Sequence, residues 1–227
     1  MTPEHPIFAD RADAGRRLAA ALAGQHISRP IVYAMPRGGV LVAREVALAL
    51  KTPLDLALVR KIGAPGRPEL ALAAVIDGDH PRLVVNTDVL RDAGVDQDYL
   101  DREAARQLVE IARRRQVFLK GRGGADVRGR TVIIVDDGMA TGTTARAVVE
   151  GLRARGAAWV ILAVPVAPAD TAAEMRDQVD ELVCLAEPSA FSDMSAFYGD
   201  FHQPTDSEVL DVLEEVAAER GLPTAEG

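Results

Sequence analysis

Aromatic side chains make up only 4% of the 227 residues. The core must therefore be built from Ala, Val and Leu rather than from stacked rings. There is one cysteine, Cys184, so no disulfide can form within the chain, which fits a reducing, cytoplasmic setting. No long hydrophobic run is present. The longest, Ala157–Ala169, falls short of the roughly 20 apolar residues of a membrane-spanning helix and carries Pro165 and Pro168. The N-terminus has no basic start followed by an apolar core, so no signal peptide is expected. A positive excess is missing too: the net charge of -8 argues against bulk nucleic-acid binding, which needs a basic surface. His5, His26 and His80 show no ligand spacing, so no protein-built metal site is expected; His202 reads as a surface histidine first and as an acid or base second.

What is present is ordinary globular chemistry, 48% apolar and 26% charged. The length suits one core, and a single domain over residues 1–227 is expected. The charge is unevenly spread, with nine basic and three acidic residues between Arg102 and Arg130. A solvated helix face is the simpler reading of that stretch; a field that favours an anionic ligand is the sharper one.

Periodicity predicts an amphipathic helix over Ala9–Ala23, capped by Asp10, with Leu18 and Leu22 on one face. A strand Ile31–Met35 follows, broken by Pro36-Arg37-Gly38-Gly39, then a helix Val40–Leu50 and a strand Leu54–Val59. Lys61–Pro68 holds Gly and Pro turn signals and reads as a mobile loop. Leu72–Ile76 is a strand, and a polar stretch leads to a long helix Gln97–Lys120. Strands Thr131–Val135, Trp159–Val164 and Leu182–Leu185 then alternate with helices Thr143–Arg155 and Ala169–Val179, and an acidic helix Asp206–Arg220 ends the pattern. Alternation of apolar strands and helices means crossover units. The expected fold is α/β, a doubly wound, mostly parallel sheet whose ligands bind beyond the carboxyl ends of its strands.

One segment stands out. Val132-Ile133-Ile134-Val135 is a fully apolar strand that runs into Asp136-Asp137, then Gly138-Met139-Ala140-Thr141-Gly142-Thr143-Thr144 and a helix. The strand sets the carboxylates at the ligand edge. Ala140, Thr141 and Gly142 leave room for backbone N–H groups to converge on an anion, the helix adds its positive end, and Thr141, Thr143 and Thr144 add hydroxyls. A phosphate suits the loop, and a polyol or metal ion suits the carboxylates. The Lys of a Walker loop is absent, and the glycines are misplaced for a dinucleotide fingerprint.

This segment resembles the phosphoribosyl-pyrophosphate signature of the type I phosphoribosyltransferases. The resemblance implies that Asp136 and Asp137 hold the ribose hydroxyls and that Ala140, Thr141, Gly142, Thr143 and Thr144 hold the 5′-phosphate. Met35-Pro36-Arg37-Gly38-Gly39 resembles that family's pyrophosphate loop, with Arg37, Gly38 and Gly39 at the diphosphate. Val59-Arg60-Lys61 resembles the start of its flexible loop, with Arg60 and Lys61 neutralising the leaving group. Taken together, the likeness covers roughly residues 7–201. It implies transfer of a phosphoribosyl group from phosphoribosyl pyrophosphate to a nitrogenous acceptor, Mg²⁺ carried on the diphosphate, a homodimer, and a place in nucleotide salvage.

Two departures bear on the acceptor. Where the 6-oxopurine enzymes carry an acidic base, this chain has Ala140. The helical insert, about 88–122, is extra to the minimal fold and resembles that of a group of predicted bacterial phosphoribosyltransferases. The acceptor-selecting hood is expected at about 186–205, with Phe191 and Tyr198 as acceptor contacts beside Phe197 and Phe201, before a C-terminal helix at about 206–220. Aromatics that pin the hood to the core are the simpler reading. The rival functions are a non-catalytic regulator that binds the same ligand, and a sugar-phosphate hydrolase, for which neither a Gly-x-Ser-x-Gly turn nor a zinc motif is present.

Overall fold

The computed structural model describes residues 6–24, 27–77, 81–120 and 124–219. Helix α1 (Arg11–Leu22) opens on Asp10, whose carboxylate accepts from the Asp13 amide at 2.7 Å. Strand β1 (Ile31–Ala34), α2 (Gly38–Ala49) and β2 (Leu54–Leu56) follow. Then come β3 (Val59–Ala64), β4 (Arg67–Ile76), β5 (Arg82–Val85), α3 (Thr87–Ala93) and α4 (Gln97–Leu119). The chain continues through β6 (Thr131–Val135), α5 (Thr143–Ala154), β7 (Trp159–Val166), α6 (Ala169–Arg176) and β8 (Glu181–Ala186). A short 3-10 turn (Met194–Phe197) and α7 (Asp206–Glu219) complete the described elements.

Five strands form a parallel sheet in the order β2-β1-β6-β7-β8. Side chains alternate across it, as the strand period demands. Val32, Ala34, Ile133 and Val135 pack with α1, α2 and α7 on one face, while Ile31, Tyr33, Val132 and Ile134 pack with α5 and α6 on the other. This is the doubly wound α/β arrangement. Both faces are covered, so the strands read as continuous apolar runs; each fully buried branched side chain contributes about 1.5–3 kcal/mol. Register pairs Ala34 with Val135 and Val135 with Ala163, so the carboxyl ends of β1 and β6 lie level while β7 runs on to Val166.

The segment expected as a mobile loop is a β-hairpin. Strands β3 and β4 pair antiparallel around Pro65-Gly66, and β5, which the sequence did not suggest, adds a third strand. Pro at the first central position and Gly66 at φ 70° are the residues a tight turn of this type needs. The physical reason for the difference is burial: Ile62 and Ala64 are 1% and 5% exposed. Ile62, with Leu100, Ile111 and Phe118 of α4, belongs to the main core. The helical insert is thus α3 and α4 laid over this small sheet. Smaller differences occur at the ends: β7 runs past Pro165 to Val166, and α6 stops at Arg176, before Val179. His5, His26, His80, Arg122 and Arg220 lie outside the described residues.

Candidate active site

Strand β6 delivers Asp136 and Asp137 to the carboxyl edge of the sheet. The Asp137 amide donates to Asp136 Oδ1 at 2.9 Å. Burial, with the Asp137 carboxylate beside it, holds Asp136 well above the ordinary carboxylate range. Asp137 has a counter-ion that the sequence did not disclose. Arg11 Nε of α1 donates to Asp137 Oδ2 at 2.8 Å, and Arg11 Nη1 donates to the His202 carbonyl at 2.8 Å. The Arg11 guanidinium lies 3.9 Å from the centre of the Phe201 ring and is nearly buried.

The glycine loop stands against this pair. A Cβ on Gly38 would fall 1.9 Å from Asp137 Oδ2, and one on Gly39 2.8 Å from the Asp136 Cα. Glycine is required at both places because the carboxylates occupy that space. The Pro36–Arg37 peptide is cis. The Arg37 side chain turns toward α7, with its Nη1 3.4 Å from Asp206 Oδ1.

Beyond the pair, Gly142 sits at φ 69° and begins α5 with no side-chain cap on the helix amides. Thr141 Oγ1 and Thr143 Oγ1 lie 3.2 Å apart, and Thr171 of α6 donates to the Ala140 carbonyl at 3.0 Å. Ala140 and Thr141 are exposed, and Thr143 and Thr144 are half-buried. Loop amides and hydroxyls therefore face an open, positive helix end.

A cavity of about 200 Å³ opens beside these segments, lined by Pro36, Arg60, Ile111, Arg114, Asp136 and Thr144 among others. Of the two adjacent cations expected at the leaving group, the structure brings Arg60 to this cavity. Lys61 projects from the other face of β3 and is exposed. Arg114 on α4 is a cavity residue that sequence reading missed; its only local signal was the basic run in that helix.

In the hood, Phe191 stacks on Phe197 with ring centres 5.4 Å apart. Tyr198 is 4% exposed, its ring lies against Phe8 and Phe201, and its hydroxyl donates to the Asp137 carbonyl. The ring of Tyr198 is thus engaged within the hood, and its contact with the site runs through its hydroxyl. Among the described residues no three His, Cys, Asp or Glu side chains are grouped as metal ligands. No described helix is long and apolar enough to cross a membrane.

Fold and site together define an α/β protein with an acidic pair, a glycine loop and a threonine-rich helix start on one sheet edge. The model of the phosphoribosyl transferase domain family matches residues 7–201, and the chain belongs to that family. It is similar to a protein of Mycobacterium tuberculosis (strain ATCC 25618 / H37Rv), provisionally named phosphoribosyl transferase Rv0571c. The two are 44% identical over 208 residues, covering 92% of this chain and 46% of the relative. The chain therefore spans about half the length of the curated relatives it matches. It is also similar to the crystal structure of TT1426 from Thermus thermophilus, with a TM-score of 0.80 and 43% identity, covering 92% of this chain and 98% of that one.

Proposed function

We propose that this protein transfers the 5-phosphoribosyl group of phosphoribosyl pyrophosphate to a nitrogen atom of a small acceptor, releasing pyrophosphate. The convergence of Gly38-Gly39, Asp136-Asp137 and the uncapped start of α5 on one sheet edge carries this reading. Membership of the phosphoribosyl transferase family supports it.

In this reading Asp136 and Asp137 accept hydrogen bonds from the ribose hydroxyls. Ala140–Thr144 hold the 5′-phosphate through backbone amides and hydroxyls. The Arg37–Gly39 backbone and the Arg60 side chain receive the diphosphate, while the Arg37 side chain stays with Asp206. The bond from the anomeric carbon to diphosphate breaks and a bond to the acceptor nitrogen forms, through a state with oxocarbenium character. The chain positions the sugar, holds the departing charge and excludes water. Mg²⁺ in this reading would arrive on the substrate phosphates, because it keeps part of its water shell and binds through phosphate oxygens. On the diphosphate, the ion would neutralise charge on the leaving group. The hood around Phe191 is the acceptor side. With Ala140 at the loop position, no carboxylate of that loop takes the acceptor's proton.

Pyrophosphate release, followed with a panel of purines, pyrimidines and other nitrogen bases, tests the proposal. Release with at least one acceptor and none without is the expected result. Tight binding of phosphoribosyl pyrophosphate with no release from any acceptor would replace the transferase with a non-catalytic regulator.

A further inference from the structure

We infer that Arg114, carried by the helical insert, is the second cation of the diphosphate end of the site, so that the insert completes the donor pocket. This rests on the transferase reading above. A diphosphate that leaves gains charge, and fixed cations that meet it stabilise that step.

Sequence alone offers Arg60 and Lys61 as neighbours for this role. Both lie on β3 in regular register, Arg60 opposite Val75 and Lys61 opposite Ala74, ahead of the irregularity after Ile62. Successive strand side chains point to opposite faces. Ile62, Ala73 and Val75 share the face packed on α4, which is the face of Arg60. Ala74 and Ile76 share the other face, against Ala147 of α5, which is the face of Lys61. One strand therefore presents one of its two cations to the cavity.

The cavity wall shows what stands opposite. Ile111 and Arg114 reach it from α4, three residues apart and so on the same side of the helix. Ile111 is 2% exposed, and its burial fixes the side from which Arg114 projects. Glu110 Oε1 accepts from Arg114 Nε at 3.0 Å and orients the guanidinium. The same helix holds the hairpin in place. Gln107 Oε1 accepts from Arg60 Nε at 3.0 Å, and the Tyr99 hydroxyl donates to the Gly63 carbonyl at 2.9 Å. Two guanidiniums thus face a single acidic group, Asp136, among the described lining residues. That balance suits a polyanion next to the ribose pair. The insert then acts in two ways, holding one cation of the strand in place and adding one of its own.

Arg113 supplies a matched control. It is the neighbouring arginine, pairs with the same Glu110, is more exposed, and does not line the cavity. Calorimetric titration of Mg²⁺–phosphoribosyl pyrophosphate and of ribose 5-phosphate would be run on the wild type, Arg114→Gln, Arg114→Lys and Arg113→Gln. Arg114→Gln should weaken phosphoribosyl pyrophosphate by about 10- to 100-fold, the loss of hydrogen bonds to a charged group, and leave ribose 5-phosphate unchanged. Arg114→Lys should recover part of the loss, and Arg113→Gln should bind both ligands as the wild type does. Equal affinity of Arg114→Gln and wild type for phosphoribosyl pyrophosphate, or equal weakening for both ligands, overturns the assignment while the transferase reading stands. A wild type that binds neither ligand overturns both.

Discussion

Arg11 and Asp137 are 126 positions apart in sequence and 2.8 Å apart in the folded chain. The second carboxylate of the acidic pair is therefore neutralised from α1, and the arginine that does so is itself held by the His202 carbonyl and the Phe201 ring. The acidic pair and the hood share one guanidinium.

Removing that guanidinium should cost much of the fold's stability. Arg11→Met leaves Asp137 without its partner in a nearly closed site, and urea unfolding is expected to show a loss of about 3–5 kcal/mol. Adding Asp137→Asn to the same chain should restore a large part. A loss below about 1 kcal/mol for the single variant would show that water compensates the carboxylate.

Asp136 should make stability fall with rising pH. Its folded pKa is raised, so the folded chain keeps a proton that the unfolded chain has released. The stability it contributes is present in acid and lost as pH climbs from the ordinary carboxylate range through the raised value. Asp136→Asn should flatten that fall and raise the melting temperature at pH 8 by about 2–4 °C. Asp136→Asn, which keeps the Arg11–Asp137 pair, should stay folded and bind phosphoribosyl pyrophosphate at least about tenfold more weakly, the loss of a hydrogen-bond acceptor for a ribose hydroxyl. Unchanged affinity removes its ribose role.

Gly142→Val should close the phosphate cradle. The backbone there is left-handed, which costs a branched residue about 1–2 kcal/mol, and its Cβ would lie 3.2 Å from Met175 Sδ. Loss of ribose 5-phosphate binding is the expected result. Normal binding would put the cradle elsewhere.

Arg60→Gln should lower kcat for pyrophosphate release by about 10²-fold, as loss of a charge-stabilising donor does, with a smaller change in donor affinity. Lys61→Gln, on the other face of β3, should lower it less. The reverse order in steady-state assays would show that the hairpin rotates on binding.

His202 should titrate above the ordinary histidine value because Glu208 Oε1 lies 2.9 Å from its Nε2. The pair's contribution to hood stability is present below the unfolded histidine pKa and lost as pH rises through the raised one. A proton-resonance titration checks the value. Glu208→Gln should lower it, and no change would mean that the pair does not hold in solution.

Strand β6 and the start of α5 were legible because their signals are local: a branched apolar run, two acids, small residues and a helix. The hairpin was not. Gly63, Pro65, Gly66 and Pro68 punctuate a loose loop and a tight turn alike, and the deciding fact is Ile62 packed beneath α4. Arg11 and Arg114 escaped for a related reason. An arginine on an amphipathic helix reads as solvated until the surface opposite it is known, and that surface comes from residues far away in the chain. Tyr198 was legible as a hood residue, but the direction of its hydroxyl toward the Asp137 carbonyl is set by tertiary packing against Phe8.

The amides of Ile7 and Phe8 both donate to the Phe197 carbonyl at 3.0 Å, and the Gly199 amide returns a bond to the Phe8 carbonyl at 2.8 Å. During synthesis the segment around Phe8 and Arg11 emerges before its partners, 191 positions earlier for the Arg11–His202 contact. The closure entropy of so long a loop grows only with the logarithm of its length. What the arrangement imposes is therefore a sequence of events more than a loss of stability. The five-stranded sheet, its threonine loop and the Arg11–Asp137 pair can form while Arg11 still lacks the His202 carbonyl and the Phe201 ring. The guanidinium beside the acidic pair is held from both sides only when the hood has left the ribosome and folded back on the segment around Phe8.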